Sequence, residues 1–130
     1  VPTLVISFVE GTRITPKKVE KAKSYAAKQG LQAFEHVLIP RAKGFNATIS
    51  GMRHHIDAVY DVTIGYEKGV PTLWQYMKGY VKRAHLHVNR HDINSLPDND
   101  ESLKQWLLMR FSEKDQRLAH FYEHGKMTSV

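Results

Sequence analysis

The first thirty residues join an apolar run to a basic segment through one short polar tetrapeptide. The run from Thr3 to Phe8 is short and rich in β-branched residues, a pattern that predicts a fully buried strand. The tetrapeptide EGTR follows at residues 10–13. Thr15 then suits an N-cap, Pro16 suits the first helical position, and Gly30 suits the position after the last turn. The sequence therefore predicts a strand, a polar loop and a helix in immediate succession.

The rest of the chain alternates between strand-like and helix-like segments. In chain order these are a buried strand at His36 to Pro40, a helix with Phe45, Ile49, Met52 and Ile56 on one face, a strand at Asp57 to Glu67, a short helix at Pro71 to Lys78, a strand at Ala84 to Ile93, and a final helix whose capping box starts at Asp98 and which stops at Gly125. Alternation of this kind predicts an α/β fold with a mixed, mainly parallel sheet flanked by helices. With 130 residues and no linker-like segment, the chain is expected to form a single domain over residues 1–130.

Charge and composition narrow the possible partners. The formal net charge of +6 favours anionic partners, such as a phosphorylated substrate, a phospholipid surface or nucleic acid. Six basic residues against one acid lie between residues 13 and 28, and a solvated lysine face is the alternative explanation for that run. Cysteine is absent, which excludes disulfides and thiolate chemistry in this chain.

The EGTR loop has the properties of an anion-binding site. Loops at the carboxyl ends of strands in open α/β sheets are common places for ligands. The guanidinium of Arg13 suits phosphate oxygens, and Gly11 allows close approach of the backbone. Lys17 and Lys18 lie in the first turn of the predicted helix, where the helix dipole disfavours cations. This placement suggests a positive field for an anion, while an ordinary turn with lysines pointing into water is the open alternative.

Two motifs resemble one family of lipid-modifying enzymes. The segments FVEGTR and VLIPRAKGF resemble the lysophosphatidic acid acyltransferase family, the 1-acylglycerol-3-phosphate O-acyltransferases. The similarity extends over nearly the whole chain, through MRHHIDAVYDVTIGY, PTLWQYMKG, HLHVNRHDINSLP and QWLLMRFSEKDQRLAHFYEHGK. The resemblance implies that the chain is the carboxyl-terminal portion of an incomplete glycerol-phosphate acyltransferase-like domain, whose amino-terminal catalytic portion is absent.

The resemblance also implies an activity and a set of site residues. The expected reaction moves a fatty acyl group from acyl-CoA, or an acyl carrier protein, to the sn-2 hydroxyl of lysophosphatidic acid, which gives phosphatidic acid. Related members act on other lysophospholipids such as lysocardiolipin, so that acceptor is an open alternative. By resemblance, the acceptor's phosphate is bound by the motif Glu10, Gly11, Thr12 and Arg13: Arg13 holds the phosphate, Thr12 and backbone N–H groups assist, and Glu10 orients the loop. The resemblance also implies that the acceptor contacts Leu38, Ile39 and Pro40, with Arg41 and Lys43 beside them.

The same resemblance sets the expected partners and location. No cofactor and no metal are expected, because the acyl donor is a co-substrate. The full-length protein is expected at a membrane surface, with its active site on the cytoplasmic side of the endoplasmic reticulum or the bacterial inner membrane. Nucleic acid is not an expected partner, since the sequence contains no recognised nucleic-acid motif. A basic nucleic-acid module and a purely structural domain are the alternatives of other classes.

The catalytic residues are expected to lie outside this chain. The family uses a histidine and an aspartate separated by four residues, upstream of EGTR. His87 and Asp92 match that spacing but lie downstream, in a segment that alternates like a strand. Positions five apart in a strand point to opposite faces, so we reject this pair. The motif is expected before Val1, and the isolated chain is predicted to be inactive.

Two further groups of polar residues have simpler explanations. His120 and His124 have helical spacing that could place two imidazoles on one metal ion, but the sequence offers no evident third ligand. A solvated helix face is the preferred interpretation. Asp61 lies in the middle of an apolar strand and is expected to cap or pair structurally.

Overall fold

The computed structural model describes residues 4–11, 15–30, 34–66, 74, 77–79 and 83–126. Two site residues, Thr12 and Arg13, lie outside these ranges, as does most of the predicted helix from Pro71 to Lys78. The elements are helices α1 (Pro16–Gln29), α2 (Ala42–Met52) and α3 (Asp100–His124), strands β1 (Ala58–Tyr66) and β2 (Ala84–Asp92), and a 3₁₀ turn (Ile93–Ser95).

Helix α1 has the ends that the sequence predicts. The Thr15 side chain accepts a hydrogen bond from the Lys18 backbone N–H at 3.2 Å, and Pro16 opens the helix. Gly30 ends it in the left-handed conformation, where its N–H reaches the carbonyls of Ala26 and Ala27. Ala26 is fully buried and fixes the inner side of the helix. The prediction of this helix is confirmed.

The sheet corrects the prediction of a mainly parallel arrangement. Strands β1 and β2 lie where the sequence places them, but they pair antiparallel, with Ala58 opposite Asp92 and Tyr66 opposite Ala84. Hydrophobic period identifies a strand but carries no information about the direction of its neighbour. The helical pattern between the two strands had suggested a crossover and therefore a parallel pair. The fold is a mixture of helices and strands, as predicted, with an antiparallel two-stranded sheet.

The two other predicted strands do not form in the described residues. Residues 4–8 have no strand structure, and Leu4 and Phe8 are each 85% exposed. Val37 and Leu38 are buried as predicted, but their segment is irregular. Residues 36–40 form no strand because their backbone N–H groups bind side chains: the N–H of His36 donates to the Asp115 carboxylate at 2.6 Å. The Leu38 N–H binds another side-chain carboxylate, so neither donor is available to a ladder.

The core lies between α2, α3 and the segments that precede them. Phe45 and Ile49 are buried on α2 as predicted, and Phe45 stacks on Trp106 with ring centroids 5.9 Å apart. Met52 is the last residue of the helix, so Ile56 lies beyond it but still packs against the core. The buried cluster consists of Phe34, Val37, Phe45, Ile49, Ile93, Leu96, Leu103, Leu107, Phe111 and Leu118.

The N-cap of helix α3 lies one residue later than predicted. Asn99 is the N-cap, and its side chain accepts from the Ser102 N–H at 2.8 Å, which corrects the expected role of Asp98. Asn and Asp are nearly equivalent caps, so composition alone does not choose between neighbours. Gly125 ends the helix as predicted. Among the described residues, no helix combines the length and apolarity needed to cross a membrane.

The sheet turns its polar face toward α3. The Asp61 carboxylate lies 2.5 Å from the Lys114 ammonium, and both side chains are mostly buried. Lys114 also donates to the Val62 carbonyl at 2.6 Å, and Thr63 and Arg117 are each only 2% exposed. The opposite, apolar face is open: Tyr60, Val62, Ile64, Leu86 and Val88 are exposed. Asp61 thus pairs structurally, as expected.

Candidate functional site

Two backbone hydrogen bonds fix the first half of the EGTR motif against the segment before α2. The Gly11 N–H donates to the Phe8 carbonyl at 2.9 Å, which closes a turn. The Arg41 N–H donates to the Val9 carbonyl at 2.7 Å. The two predicted site segments, distant in sequence, therefore meet at the turn formed by residues 8–11.

The Glu10 side chain adds a third connection. Its Oε2 accepts a hydrogen bond from the Leu38 N–H at 2.7 Å. Burial raises the pKa of Glu10 above its ordinary value, while the Leu38 N–H and the charge of Lys114 oppose that rise. Desolvation therefore outweighs both stabilising contacts. In this geometry the carboxylate holds the loop in place through the Leu38 N–H.

Gly11 is required by its conformation and by a close neighbour. Its φ of +74° lies in the left-handed region that disfavours other residues. A Cβ at this position would lie 3.0 Å from both Cδ and Nε of Arg41. The Arg41 side chain therefore runs directly over the glycine. Absence of a side chain at Gly11 lets the second site segment approach the first.

A cleft of about 1090 Å³ opens beside this junction. It collects every residue of the predicted acceptor segment, together with Glu10. The other walls come from one face of each of the three helices: Lys18, Lys21, Ala22 and Tyr25 of α1, Ala42, Asn46, Ala47 and Ser50 of α2, and Asp100, Glu101, Lys104 and Leu108 of α3, in addition to Leu38, Ile39, Pro40, Arg41 and Lys43. The structure thus brings the predicted acceptor residues together around one cavity.

Positive charge predominates in this cleft. Five cationic side chains line it, against the carboxylates of Glu10, Asp100 and Glu101. The N-cap of α2 is Arg41, which makes no side-chain capping hydrogen bond, and the first turn of α2 contains no acid. The dipole of α2 therefore adds to the positive potential at the Arg41 end of the cleft. An anion is the ligand that this arrangement favours.

Sequence reasoning missed most of the helical walls of the cleft, including Asn46 of α2 and Lys104 of α3. Asn46 donates from Nδ2 to the Asp100 carbonyl at 3.0 Å and so joins α2 to the start of α3. Lys104 lies one turn further along α3 and lines the same cavity. The spacing of Asp100, Lys104 and Leu108 by four residues was the available signal, but it is equally typical of a solvated helix face.

Of the rejected pair, His87 and Asp92, the aspartate is engaged in a structural contact. Asp92 accepts from the Asn94 N–H at 2.9 Å and caps the 3₁₀ turn. Burial lowers the pKa of His87, and the positive charge of Arg117 lowers it further. These contacts leave Asp92 committed to its own turn.

The histidine pair on α3, His120 and His124, forms no metal site with other described residues. The rings of His120 and His124 lie 4.4 Å apart on α3. Across the described part of the chain, however, no group of three or more potential metal ligands comes together. A pair of imidazoles on a solvated helix remains the simplest description.

The sequence matches known proteins in two ways. The family model described as "Acyltransferase C-terminus" matches residues 75–130. Lysocardiolipin acyltransferase 1 of Gallus gallus is 34% identical over 129 residues, which are 96% of this chain and 34% of that protein. No solved structure matches the chain.

Two further relatives have names that specify another acceptor. The probable 1-acyl-sn-glycerol-3-phosphate acyltransferase 5 of Arabidopsis thaliana is 37% identical over 119 residues, covering 91% of this chain and 32% of the relative. The 1-acyl-sn-glycerol-3-phosphate acyltransferase epsilon of Mus musculus is 35% identical over 134 residues, covering 94% of this chain and 37% of the relative. The chain spans about a third of the length of these proteins. It belongs to the 1-acylglycerol-3-phosphate O-acyltransferase family.

Proposed function

We propose that the full-length protein transfers a fatty acyl group from acyl-CoA to the sn-2 hydroxyl of 1-acylglycerol-3-phosphate and so produces phosphatidic acid. The chain described here supplies the part that binds the phosphate of the acceptor. The observation that carries this proposal is the junction of the Glu10–Gly11 turn with residues 38–43 at a cationic cleft. Family membership and the names of the relatives support the reaction type.

Arg41 and Lys43 are the described residues best placed to bind the acceptor's phosphate. Both line the cleft at the start of α2, where the helix dipole reinforces their charge. Arg13 is assigned the same role through the EGTR motif, and Thr12 assists it. Charge-assisted hydrogen bonds of this kind contribute about 1.5–3 kcal/mol each. Glu10 and Gly11 act by positioning the loop and Arg41.

The proton chemistry is assigned to a different part of the protein. When the sn-2 hydroxyl attacks the thioester carbon, a base must take its proton as the C–S bond breaks and the coenzyme A thiol departs. We assign that role to a histidine, oriented by an aspartate, in a part of the full-length protein outside these 130 residues. The chain itself binds and orients the acceptor. We further propose that the reaction occurs at the cytoplasmic surface of a membrane.

Lysocardiolipin is the second candidate acceptor. The observation that favours it is the relative from Gallus gallus, whose name specifies that substrate. Lysophosphatidic acid and lysocardiolipin both present phosphate esters, so a cationic cleft serves either. The cationic side chains of the cleft suit both acceptors, so measuring activity with a panel of acceptors is needed to distinguish them.

The test is acyl transfer by purified full-length protein to three acceptors: lysophosphatidic acid, lysocardiolipin and uncharged monoacylglycerol. We expect turnover with a phosphate-bearing acceptor and little with monoacylglycerol. Arg13→Gln should raise KM for the phosphate-bearing acceptor by about 10- to 100-fold, which is the loss of one charge-assisted contact. Lys28→Gln, an equal charge change outside the cleft, is the matched control. Equal turnover with monoacylglycerol, or an Arg13→Gln variant that behaves like Lys28→Gln, would contradict the proposal.

A further inference from the structure

The cleft is larger than a single acceptor phosphate requires. Its volume of about 1090 Å³ is at the upper end of the range for pockets that hold whole drug-sized ligands. Along α1 the lining residues run from Lys18 to Tyr25, about 10 Å at the usual helical rise. Along α3 they run from Asp100 to Leu108, about 12 Å. A second ligand group therefore has room between α1 and α3.

Two lysines from different helices line that additional space. Lys21 of α1 and Lys104 of α3 line the same cleft and are exposed in it. Neither forms an ion pair with any described residue, whereas Lys23 of α1 pairs with Glu35 at 2.9 Å. Two cations without carboxylate partners that line one cavity favour an anionic ligand there, and a phosphate can accept charge-assisted hydrogen bonds from both.

The acidic residues nearby do not fill that role. Asp100 and Glu101 line the cleft in the first turn of α3, where they complement the helix dipole. Glu101 also accepts a hydrogen bond from Gln105 at 3.3 Å. Tyr25 beside Lys21 and Leu108 beside Lys104 add apolar surface next to the two charges. The combination of paired cations and apolar surface suits a phosphate attached to an organic group.

We propose that Lys21 and Lys104 form a second phosphate-binding site in the cleft, separate from the acceptor-phosphate loop. This inference rests on the proposed function, which brings two phosphorylated substrates to one cleft. The phosphate has two possible sources. One is the coenzyme A part of the acyl donor, which carries a pyrophosphate and a 3′-phosphate. The other is the second phosphate of an acceptor such as lysocardiolipin.

The kinetic test uses full-length protein and the variants Lys21→Gln, Lys104→Gln and the double variant, with Lys28→Gln as the control from α1. KM is measured for acyl-CoA, for the same thioester of 3′-dephospho-coenzyme A, and for lysophosphatidic acid and lysocardiolipin. We expect the double variant to raise one KM by at least about 10-fold, the loss of a charge-assisted contact. If the KM for acyl-CoA rises to that of the 3′-dephospho-coenzyme A thioester, the donor is the source of the phosphate. A rise confined to lysocardiolipin identifies the acceptor.

A binding measurement separates this inference from the proposed function. Calorimetric titration of full-length protein with coenzyme A and with inorganic pyrophosphate reports the site without turnover. If the wild type binds either probe through Lys21 and Lys104 but transfers no acyl group, the second site stands and the proposed function fails. If the wild type is active while the double variant matches Lys28→Gln in every KM and in binding, the second site is contradicted and the function stands.

Discussion

At the scale of single residues, the described half of the EGTR motif, Glu10 and Gly11, is fixed by backbone geometry and by one side-chain hydrogen bond. Glu10 turns its carboxylate inward to the Leu38 N–H, and Gly11 leaves space for Arg41. The resemblance predicts that this loop binds an anion and that Glu10 orients the loop, but it does not reveal which group the carboxylate contacts. That role depends on a hydrogen-bond partner far away in the chain, which no local pattern encodes.

Substitution of Gly11 tests the close approach to Arg41. Gly11→Ala places a methyl group in the left-handed region, which costs about 1–2 kcal/mol, and pushes it against a side chain 3.0 Å away. We expect the free energy of unfolding to fall by about that amount, and Arg41 to move away from the turn. Urea unfolding measures the first effect. As a control, Gly44→Ala in α2, where nothing lies within 4 Å, should be neutral or stabilising. Equal effects of both substitutions would contradict this interpretation.

Glu10 gives a prediction with a defined direction in pH. Its pKa is raised in the folded chain, so the unfolded chain loses this proton first as the pH rises from the ordinary value of 4.5. The protonated carboxyl therefore contributes stability at low pH, and that contribution is lost as the pH rises through the folded pKa. Glu10→Gln keeps an acceptor for the Leu38 N–H but does not ionise. Its stability relative to wild type should consequently increase between pH 4 and pH 7.

The control for that series is Glu10→Ala, which removes the acceptor at every pH. We expect it to reduce the free energy of unfolding by about 1–3 kcal/mol, since the Leu38 N–H is left without a partner. Urea unfolding at several pH values measures all three proteins. A Glu10→Gln variant whose stability relative to wild type does not change with pH would contradict a raised pKa.

At the scale of elements, sequence pattern locates the helices and paired strands well and fails on how strands associate. The caps at Thr15, Gly30 and Gly125 and the strands β1 and β2 lie within a residue of their predicted positions. Apolar composition predicts a strand at residues 36–40, and Val37 and Leu38 are indeed buried. The N–H groups of His36 and Leu38, however, bind carboxylates instead of a neighbouring strand. Burial is readable from composition, whereas hydrogen-bond partners are a property of the tertiary structure.

The polar contact between β1 and α3 is the element-scale feature most open to test. Asp61→Ala leaves the Lys114 ammonium mostly buried without its carboxylate. We expect a loss of about 3 kcal/mol in the free energy of unfolding, because breaking one side of a buried ion pair leaves an uncompensated charge. The double substitution Asp61→Leu with Lys114→Met should restore most of that loss. Thermal and urea unfolding report both, and a single variant as stable as wild type would contradict the role of the pair.

At the scale of the whole molecule, the cleft is lined by α1, α2, α3 and the turn formed by residues 8–11. We propose that the chemistry is divided between this chain and another part of the protein. Residues 38–41 and 43 are predicted as acceptor residues by the family resemblance of one contiguous motif, and the structure places them around one cavity. Lys104 could not be predicted, because it belongs to a helix whose exposed face resembles any solvated face. The three-helix wall emerges only when the elements pack.

If the catalytic base lies in another part of the protein, the isolated 130-residue chain should have no acyltransferase activity. The physical reason is that the pair with the catalytic spacing is not assembled as a base: Asp92 is engaged in capping and leaves His87 without an orienting carboxylate from that pair. Incubation with acyl-CoA and lysophosphatidic acid, followed by detection of phosphatidic acid, measures this directly. Turnover by the isolated chain that His87→Ala abolishes would show that His87 is the base after all.

The most direct test of the central claim is the KM of full-length Arg41→Gln protein for its phosphate-bearing acceptor. Arg41 joins the EGTR turn through its backbone and lines the cationic cleft with its side chain. If this junction binds the acceptor's phosphate, KM should rise by about 10- to 100-fold relative to Lys28→Gln, with kcat little changed. A KM equal to that of the Lys28→Gln control would show that the acceptor's phosphate is bound elsewhere.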